Sequence, residues 1–202
     1  MIRLFVALGL PDGLTQRLDG LHMALPGAHW VAPETMHVTL RFIGEVSQGE
    51  AADIDDMLAR IAMPAFDLKV CGVGSFASGG RLRALWAGVE KSPDLSRLQA
   101  KVETACQRAG QMPEGRRFLP HVTLARCGRI REELAGPFLG AYAGFSSDPI
   151  RVDAFTLYSS HTGHDGPVYR PERRYTLSGE GADDVFNDDA RFAELAAEWA
   201  EE

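Results

Sequence analysis

Apolar positions along the chain follow two different periods, and together they predict the order of its elements. Strands are predicted where β-forming residues alternate with polar ones or form short apolar runs: residues 1–8, 37–43, 66–73, 84–89, 150–160 and 175–177, and a strand that begins at 121. Helices are predicted where apolar residues recur every three or four positions between capping and stop signals: residues 11–25, 47–61, 92–110 and 131–139. Helices and strands do not alternate regularly, and a hairpin that turns at Gly79-Gly80 interrupts the order. The pattern therefore predicts an α+β fold with antiparallel sheets and not a doubly wound parallel sheet.

Two of the predicted strands carry the same four residues. The segment His37-Val38-Thr39-Leu40 recurs 84 positions later as His121-Val122-Thr123-Leu124. Because side chains alternate along a strand, each copy puts its histidine and threonine on one face and its valine and leucine on the core face. A repeated tetrapeptide arises by chance in roughly one protein in five. The repeat gains weight because its residues are chemically active and one copy falls in each half of the chain.

Two such strands facing each other would place two imidazoles and two hydroxyls around one small volume. Cleavage of a phosphodiester without a metal needs a base, an acid and a group that neutralises charge on the phosphorus oxygens. Two histidines with pKa values of about 6.5 can act as the base and the acid, and hydroxyls and a nearby arginine can bind the oxygens. The paired motif therefore predicts acid–base chemistry on an oxyanion.

Composition and charge narrow the class of protein. With 202 residues, 45% of them hydrophobic and 24% charged, the chain suits one large domain or two small lobes of a globular protein. Residues 180–202 hold nine acidic residues and one basic one, a net charge of −8. The whole chain carries −7, so residues 1–179 carry a net charge of +1. This balance fits a body that binds one or two phosphates and does not fit an extended duplex binder.

Cysteine usage and the apolar segments predict a cytoplasmic protein. Cys71, Cys106 and Cys127 have neither disulfide nor zinc spacing, which is typical of free thiols in a reducing compartment. The apolar start is short and ends at Pro11-Asp12, so it is interpreted as a buried strand and not as a signal peptide. No stretch approaches the roughly 20 apolar residues of a membrane span.

The segments around these motifs resemble the 2H phosphoesterases, and within them the RNA 2′,3′-cyclic phosphodiesterases, also called LigT-like proteins or 2′-5′ RNA ligases. The segments that carry the resemblance, in order, are RLFVA at 3–7, HVTLRFIGE at 37–45, LWAGV at 85–89 and PHVTLAR at 120–126. The resemblance implies one bilobal domain over residues 1–178, with two pseudo-symmetric lobes, each an antiparallel sheet flanked by helices, that meet at a central cleft. Residues 179–202 are expected to be an acidic C-terminal extension outside it, either a helix docked on the body or a mobile tail, with a helix favoured for its second half.

The resemblance also implies an activity and its residues. The reaction would be metal-independent hydrolysis of an RNA 2′,3′-cyclic phosphate end to a 2′-phosphomonoester, with no cofactor. His37 is the implied proton donor and His121 the implied proton acceptor, although the near-symmetry of the two motifs cannot decide between them. The other implied site residues are the phosphate ligands Thr39, Thr123 and Arg126 and the base-stacking Phe42. The expected partner is RNA with a cyclic phosphate terminus or a cyclic nucleotide, and we expect a monomer with no obligate protein partner and no membrane attachment.

Strict alternation conflicts with two of these roles. It puts Arg41, and not Phe42, on the face of His37, and it puts Arg126 on the face opposite His121. The implied roles therefore require each strand to bulge or end before this position. An aromatic residue at 42 would belong equally well to the core.

Several other polar residues have more than one interpretation. His161, His164 and Asp165 have the spacing of a metal site, but supporting ligands are not visible and a mobile rim loop is preferred. Three further basic residues fit a nucleic-acid-binding rim or a solvated strand face equally well: Arg170, Arg173 and Arg174. Two remaining histidines are interpreted as surface residues: His22 and His29.

Three rival functions remain open from the sequence. The same histidine pair could act on a small cyclic phosphate, or the protein could be a non-catalytic module that binds RNA ends. Intact histidine and threonine at both motifs argue against the second, because binding alone does not need a titrating pair. A metal-dependent phosphoesterase is the remaining alternative, and sensitivity to a chelator would support it.

Overall fold

The order of elements is known from a computed structural model that describes residues 1–163 and 166–178. The strands in this part of the chain are β1 (Ile2–Gly9), β2 (Ala28–Trp30), β3 (His37–Val46), β4 (Phe66–Leu68), β5 (Val70–Ser78), β6 (Arg81–Val89), β7 (His121–Arg131), β8 (Ile150–Val152), β9 (Ala154–Gly163) and β10 (Gly166–Thr176). The α-helices are α1 (Asp12–Asp19), α2 (Gln48–Leu58), α3 (Pro93–Arg108) and α4 (Gly136–Tyr142), with 3₁₀ turns at Pro33–Thr35 and Glu132–Ala135. The predicted acidic extension lies outside the described residues.

The main sheet consists of two similar halves. Its strand order is β10-β9-β1-β3-β7-β6-β5, with β2 paired to β7, while β4 and β8 form a separate small sheet. All of these pairs are antiparallel. The halves join where Val38 of β3 pairs with Val122 of β7, and outward from this pair β3, β1 and β9 correspond to β7, β6 and β5. The predicted antiparallel α+β fold is confirmed, and its two lobes meet at the two repeated motifs.

Helices α2 and α3 pack together and cover the core face of the sheet beside β1 and β3. Both begin at the predicted caps. The Ser47 hydroxyl accepts a hydrogen bond from the Glu50 N–H, and the Glu50 carboxylate accepts one from the Ser47 N–H, which forms a capping box. The Ser92 hydroxyl caps α3 in the same way, with Pro93 in the first turn. These caps fix the residues at which the two helices begin.

Two predicted elements have the wrong length. The first helix ends at Asp19, six residues before the predicted end, because Gly20 terminates it and Leu21 reaches the core from irregular chain. The last strand is not limited to residues 175–177 but is the eleven-residue β10. Pro167 and Pro171 argued against a strand here, because proline is rare inside sheets. It is tolerated mainly on edge strands, and β10 is an edge strand.

Other predicted elements divide in two. The predicted strand 66–73 separates into β4 and β5, and the strand 150–160 separates into β8 and β9, so that β4 and β8 leave the main sheet to pair with each other. The predicted helix 131–139 is a 3₁₀ turn followed by α4. The preferred rim loop around His161 is also wrong for that residue, which lies in β9, whereas His164 and Asp165 lie outside the described residues. Within the described ranges, no helix is long and apolar enough to cross a membrane.

Candidate active site

One unpaired residue in β3 changes which side chains face the cleft. The cross-strand partners of β3 on β1 are Gly9 for His37, Ala7 for Thr39, Val6 for Arg41 and Phe5 for Phe42. Leu40 is therefore left out of the ladder, as in a β-bulge, and the alternation beyond it shifts by one residue. Leu40 and Arg41 are both buried, and Phe42 is exposed on the face of His37 and Thr39.

The same bulge occurs in β7. The partners of β7 on β6 are Gly88 for His121, Trp86 for Thr123, Leu85 for Ala125 and Ala84 for Arg126. Leu124 and Ala125 are both buried, and Arg126 returns to the exposed face of His121 and Thr123. The expectation that the strands bulge before Phe42 and Arg126 is confirmed, which removes the conflict with strict alternation.

Each motif histidine is fixed by a backbone carbonyl two residues before it. The Nδ1 atom of His37 lies 2.7 Å from the carbonyl oxygen of Thr35. The Nδ1 atom of His121 lies 2.7 Å from that of Leu119. A carbonyl oxygen can only accept a hydrogen bond, so Nδ1 carries the hydrogen in both rings. The nitrogen that gains or loses a proton is therefore Nε2 in each case.

Aromatic rings enclose His37. The centroid of its ring lies 5.0 Å from that of Phe5, 6.5 Å from that of Tyr158 and 5.3 Å from that of Tyr169. Burial among these rings lowers the pKa of His37, an effect that the hydrogen bond to the Thr35 carbonyl opposes. The positive charges of Arg126 and His121 lower this pKa further. The ring of His37 is therefore largely enclosed by other aromatic rings and only partly open to solvent.

His121 has similar but fewer aromatic neighbours. Its ring lies 4.9 Å from the ring of Phe76, edge to face, and 6.2 Å from that of Trp86. Burial lowers the pKa of His121, again against the effect of the hydrogen bond to the Leu119 carbonyl. Both histidines are therefore biased towards the neutral form before an anion binds.

Arg126 connects the two lobes. Its guanidinium donates a 2.8 Å hydrogen bond to the hydroxyl of Tyr169 in β10, and its charge reaches His37. Arg126 also lines a cavity of about 660 Å³, whose other walls include Arg3, Glu45 and Ser160. Neither motif histidine lines this cavity, so it adjoins the histidine pair and does not enclose it.

The predicted site residues fall into a compact group around the junction of the lobes. His37, Thr39, His121 and Thr123 are partly exposed on one face of the central strands, and Arg126 lies near His37. Phe42 is 54% exposed, and its ring lies 6.1 Å from that of Phe5. The sequence interpretation missed the aromatic neighbours: Phe5, Phe76, Trp86, Tyr158 and Tyr169. Alternation within residues 1–8 could have indicated that Phe5 faces the site. Tyr169, by contrast, lies in the part of β10 that was not predicted as a strand.

The other candidate residues do not join this group. The Nε2–H of His161 donates to the buried hydroxyl of Ser159, which donates in turn to the Glu172 carboxylate. No three metal-ligating side chains cluster among the residues that the structure describes.

Two arginines of the possible nucleic-acid rim have acidic partners. Arg173 pairs with Asp55 at 2.5 Å, and Arg174 pairs with Asp153 at 2.7 Å, which favours the solvated-face interpretation for both. The surface histidines His22 and His29 are exposed as predicted, and Cys71, Cys106 and Cys127 are free thiols.

Comparison with known proteins identifies the family and supports the duplicated fold. The family model described as LigT like Phosphoesterase matches residues 8–86 and 88–169, with one histidine motif in each match. An RNA 2′,3′-cyclic phosphodiesterase of Archaeoglobus fulgidus is 30% identical over 175 residues, which cover 85% of this chain and 98% of the relative. That of Escherichia coli is 29% identical over 181 residues, which cover 87% and 97%. The crystal structure of E. coli LigT in apo form has a TM-score of 0.73 at 26% identity and covers 88% of this chain and 98% of that one.

The duplicated fold and the paired motifs define the class of the protein, a 2H phosphoesterase. Within this class, the chain belongs to the family of LigT-like phosphoesterases. The family, the phosphodiesterase class of enzyme and the fold expected from the sequence are confirmed. The roles of the individual residues stay predictions.

Proposed function

We propose that the protein hydrolyses RNA 2′,3′-cyclic phosphate ends to 2′-phosphomonoesters without a metal, by a two-histidine acid–base mechanism. The observation that carries the proposal is the duplicated geometry, in which two partly buried imidazoles with a defined tautomer share one face with two hydroxyls and a guanidinium. Curated relatives with matching length are named RNA 2′,3′-cyclic phosphodiesterases, which supports the substrate class.

His121 is proposed as the base and His37 as the acid, as the resemblance to the family implies; the Nε2 of either ring is free of a proton when the ring is neutral. It removes a proton from water, and the resulting hydroxide forms a bond to phosphorus. The bond from phosphorus to the 3′ oxygen breaks, and the Nε2–H of protonated His37 gives its proton to this leaving oxygen. The product is a 2′-phosphate with a free 3′ hydroxyl. One proton leaves water and one reaches the 3′ oxygen, so the pair is reset by exchange with solvent.

The acid must be protonated when the reaction starts, although burial and Arg126 lower its pKa in the free protein. A bound cyclic phosphate brings a negative charge next to Arg126 and His37. This charge offsets the effect of Arg126 and favours the imidazolium form of His37. Thr39, Thr123 and Arg126 are proposed to bind the non-bridging oxygens, where charge grows in the transition state.

The terminal nucleoside would extend from the phosphate towards Phe42, whose exposed ring offers a stacking surface. The cavity beside Arg126 provides space for the rest of this nucleoside. Free thiols at Cys71, Cys106 and Cys127 are compatible with a reducing compartment, and we place the proposed activity in the cytoplasm.

The test is to incubate the purified protein, in excess EDTA, with a short RNA that ends in a 2′,3′-cyclic phosphate and to determine the position of the phosphate in the product. Wild type should give a 2′-phosphate, and His37→Ala and His121→Ala should each lose at least about 100-fold in rate while keeping the far-UV circular dichroism of wild type. His22→Ala is the matched control, because His22 is exposed and lies outside the motifs and their neighbouring strands.

Each rival function has its own outcome when the assay is also run without EDTA, with a nucleoside 2′,3′-cyclic phosphate as a second substrate, and with RNA binding measured in parallel. Turnover that EDTA abolishes would favour a metal-dependent enzyme, and binding of the RNA without turnover would favour a module that binds RNA ends. Turnover of a cyclic nucleotide alone would favour the small-substrate alternative. Unfolding of either motif variant at room temperature would contradict the placement of that histidine at the cleft.

A further inference from the structure

Five arginines follow the outer end of the ladder between β6 and β7. We name them the arginine row: Arg81, Arg83, Arg126, Arg129 and Arg131. All five are exposed. Arg126 is the proposed phosphate ligand, and the other four have no part in the reaction described above.

The row lies on the face of the sheet that carries the motif residues. Leu82 and Ile130 are cross-strand partners, and they are 0% and 5% exposed, so both point into the core. Neighbouring residues along a strand point to opposite faces. Arg81 and Arg131, the paired neighbours of Leu82 and Ile130, therefore point away from the core, as His121 and Thr123 do. Arg83 and Arg129 lie at a register shift of the same ladder and are exposed beside them.

The charges of the row are only partly balanced within the protein. Arg81 and Arg131 are directly opposite each other in the ladder, an arrangement that destabilises an antiparallel pair of strands. Arg131 forms an exposed ion pair with Glu133 at 3.3 Å. For Arg81, Arg83 and Arg129, no acidic partner exists among residues 1–163 and 166–178. A local excess of positive charge that weakens its own ladder indicates an external anion.

The row is continuous with the proposed phosphate site and leads away from it. Ala84 is the partner of Arg126, and Arg81 lies three residues further along β6. At a rise of about 3.3 Å per residue, the row extends about 10 Å beyond the level of Arg126. A free cyclic nucleotide has no group that could reach this distance, whereas an RNA strand has further phosphates.

We infer that the arginine row binds the backbone phosphates of the nucleotides that precede the cyclic end, so that the protein prefers RNA strands to free cyclic nucleotides. This inference rests on the proposed function, since the cyclic end must lie at the histidine pair. Exposed guanidinium groups at this spacing bind phosphate without reading bases, so the preference is for length and not for sequence.

The test compares two substrates with the same terminal nucleoside, a nucleoside 2′,3′-cyclic phosphate and a five-nucleotide RNA with a 2′,3′-cyclic end. In the double variant Arg83→Gln/Arg129→Gln, kcat/KM for the RNA should fall about tenfold, the effect of losing two exposed ion pairs. For the cyclic nucleotide it should stay within about twofold of wild type, because that substrate does not reach the row. The slope of log kcat/KM against log salt should become shallower by about 1.4 for the RNA, at about 0.7 for each lost phosphate contact.

The control is Arg60→Gln/Arg151→Gln, which removes the same charge from two exposed positions, one after α2 and one in β8. It should leave both substrates unaffected, so a general effect of net charge is separated from an effect of the row. Equal losses in the two double variants, or an equal kcat/KM for the RNA in wild type and the row variant, would overturn the inference and leave the proposed function standing.

Binding is measured in parallel, by fluorescence anisotropy of a labelled five-nucleotide RNA that ends in a 2′-phosphate. If wild type hydrolyses neither substrate but binds this RNA with a salt slope that the row variant reduces, the proposed function fails and the row stands as an RNA-binding surface. If the row variant binds this RNA as wild type does, the inference fails whatever the activity.

Discussion

Replacing Arg41 by methionine is expected to lower the free energy of unfolding by about 3–5 kcal/mol, because it leaves a buried carboxylate without its partner. The bulge at Leu40 turns the Arg41 side chain into the protein, where it is 7% exposed. Its Nε lies 2.8 Å from the Oε2 of Glu103 in α3, a close ion pair whose atoms are not aligned as a hydrogen bond. Its Nη1 contacts the Glu114 carboxylate at 3.2 Å, and its Nη2 donates to the Met112 carbonyl at 2.5 Å.

The expected loss of stability follows from the difference in exposure between two ion pairs that each include a residue of β3. The carboxylate of Glu103 is 13% exposed, so water cannot replace the guanidinium that the substitution removes. In the pair of Arg3 with Glu45, the two side chains are 63% and 57% exposed, and water can solvate the remaining charge. Arg3→Met should therefore cost less than about 1 kcal/mol. In a protein of this size, the loss at Arg41 corresponds to a fall in Tm of about 6–20 °C.

The assay is urea unfolding followed by far-UV circular dichroism, with wild type, Arg41→Met and Arg3→Met side by side. The double variant Arg41→Met/Glu103→Met should recover part of the lost free energy of unfolding, because it removes the Glu103 carboxylate together with its ion-pair partner. Glu114 keeps Arg116 as a partner at 3.1 Å in that variant. If Arg41→Met costs no more than Arg3→Met, the reasoning from burial is refuted.

Two further predictions concern the surroundings of the histidines. In an NMR titration of the free protein, His37 and His121 should both titrate below 6.5, and a bound 2′-phosphate nucleotide should raise the pKa of His37; a value above 6.5 in the free protein would contradict the effect of burial. A Cβ atom at Gly74 would lie 2.1 Å from the indole of Trp86, so Gly74→Ala should lower stability by about 1–3 kcal/mol in urea unfolding and displace the tryptophan from His121. Gly128→Ala, which meets nothing within 4 Å, is the control and should change stability by less than about 0.5 kcal/mol.

The residues of the candidate site could be found from local sequence, but the side chains that surround them could not. The His-x-Thr repeat and the caps at Ser47 and Ser92 are short-range signals, because each depends only on residues a few positions away in the chain. The aromatic enclosure of His37 depends on β9 lying next to β1 and on β10 lying next to β9, although both strands are more than 140 residues away from β1 in sequence. The order of strands in a sheet cannot be read from the hydrophobic periodicity of any one segment.

Arg41 shows a different limit of prediction. A charged residue in an alternating strand indicates solvent, and only the bulge at Leu40 turns it into the protein. The need for a bulge was visible from the conflict over Phe42 and Arg126, but its buried consequence, an ion pair with Glu103, required the position of α3. Partners that come from another element are the part that periodicity cannot supply.

The matched bulges have a consequence for the direction in which a substrate can lie. If the two halves were identical, a cyclic phosphate could bind in two orientations related by the twofold axis, and the two histidines could exchange their tasks. Phe42 and Arg126 occupy equivalent positions after the two bulges, and one is a flat apolar ring while the other is a cation. Under the proposed mechanism, this difference and the unequal aromatic surroundings of the two histidines remove the degeneracy, since a nucleobase favours the apolar ring and an anion favours the cation. Under the proposed mechanism, the duplication supplies two similar imidazoles, and the difference between Phe42 and Arg126 fixes the direction in which the substrate lies.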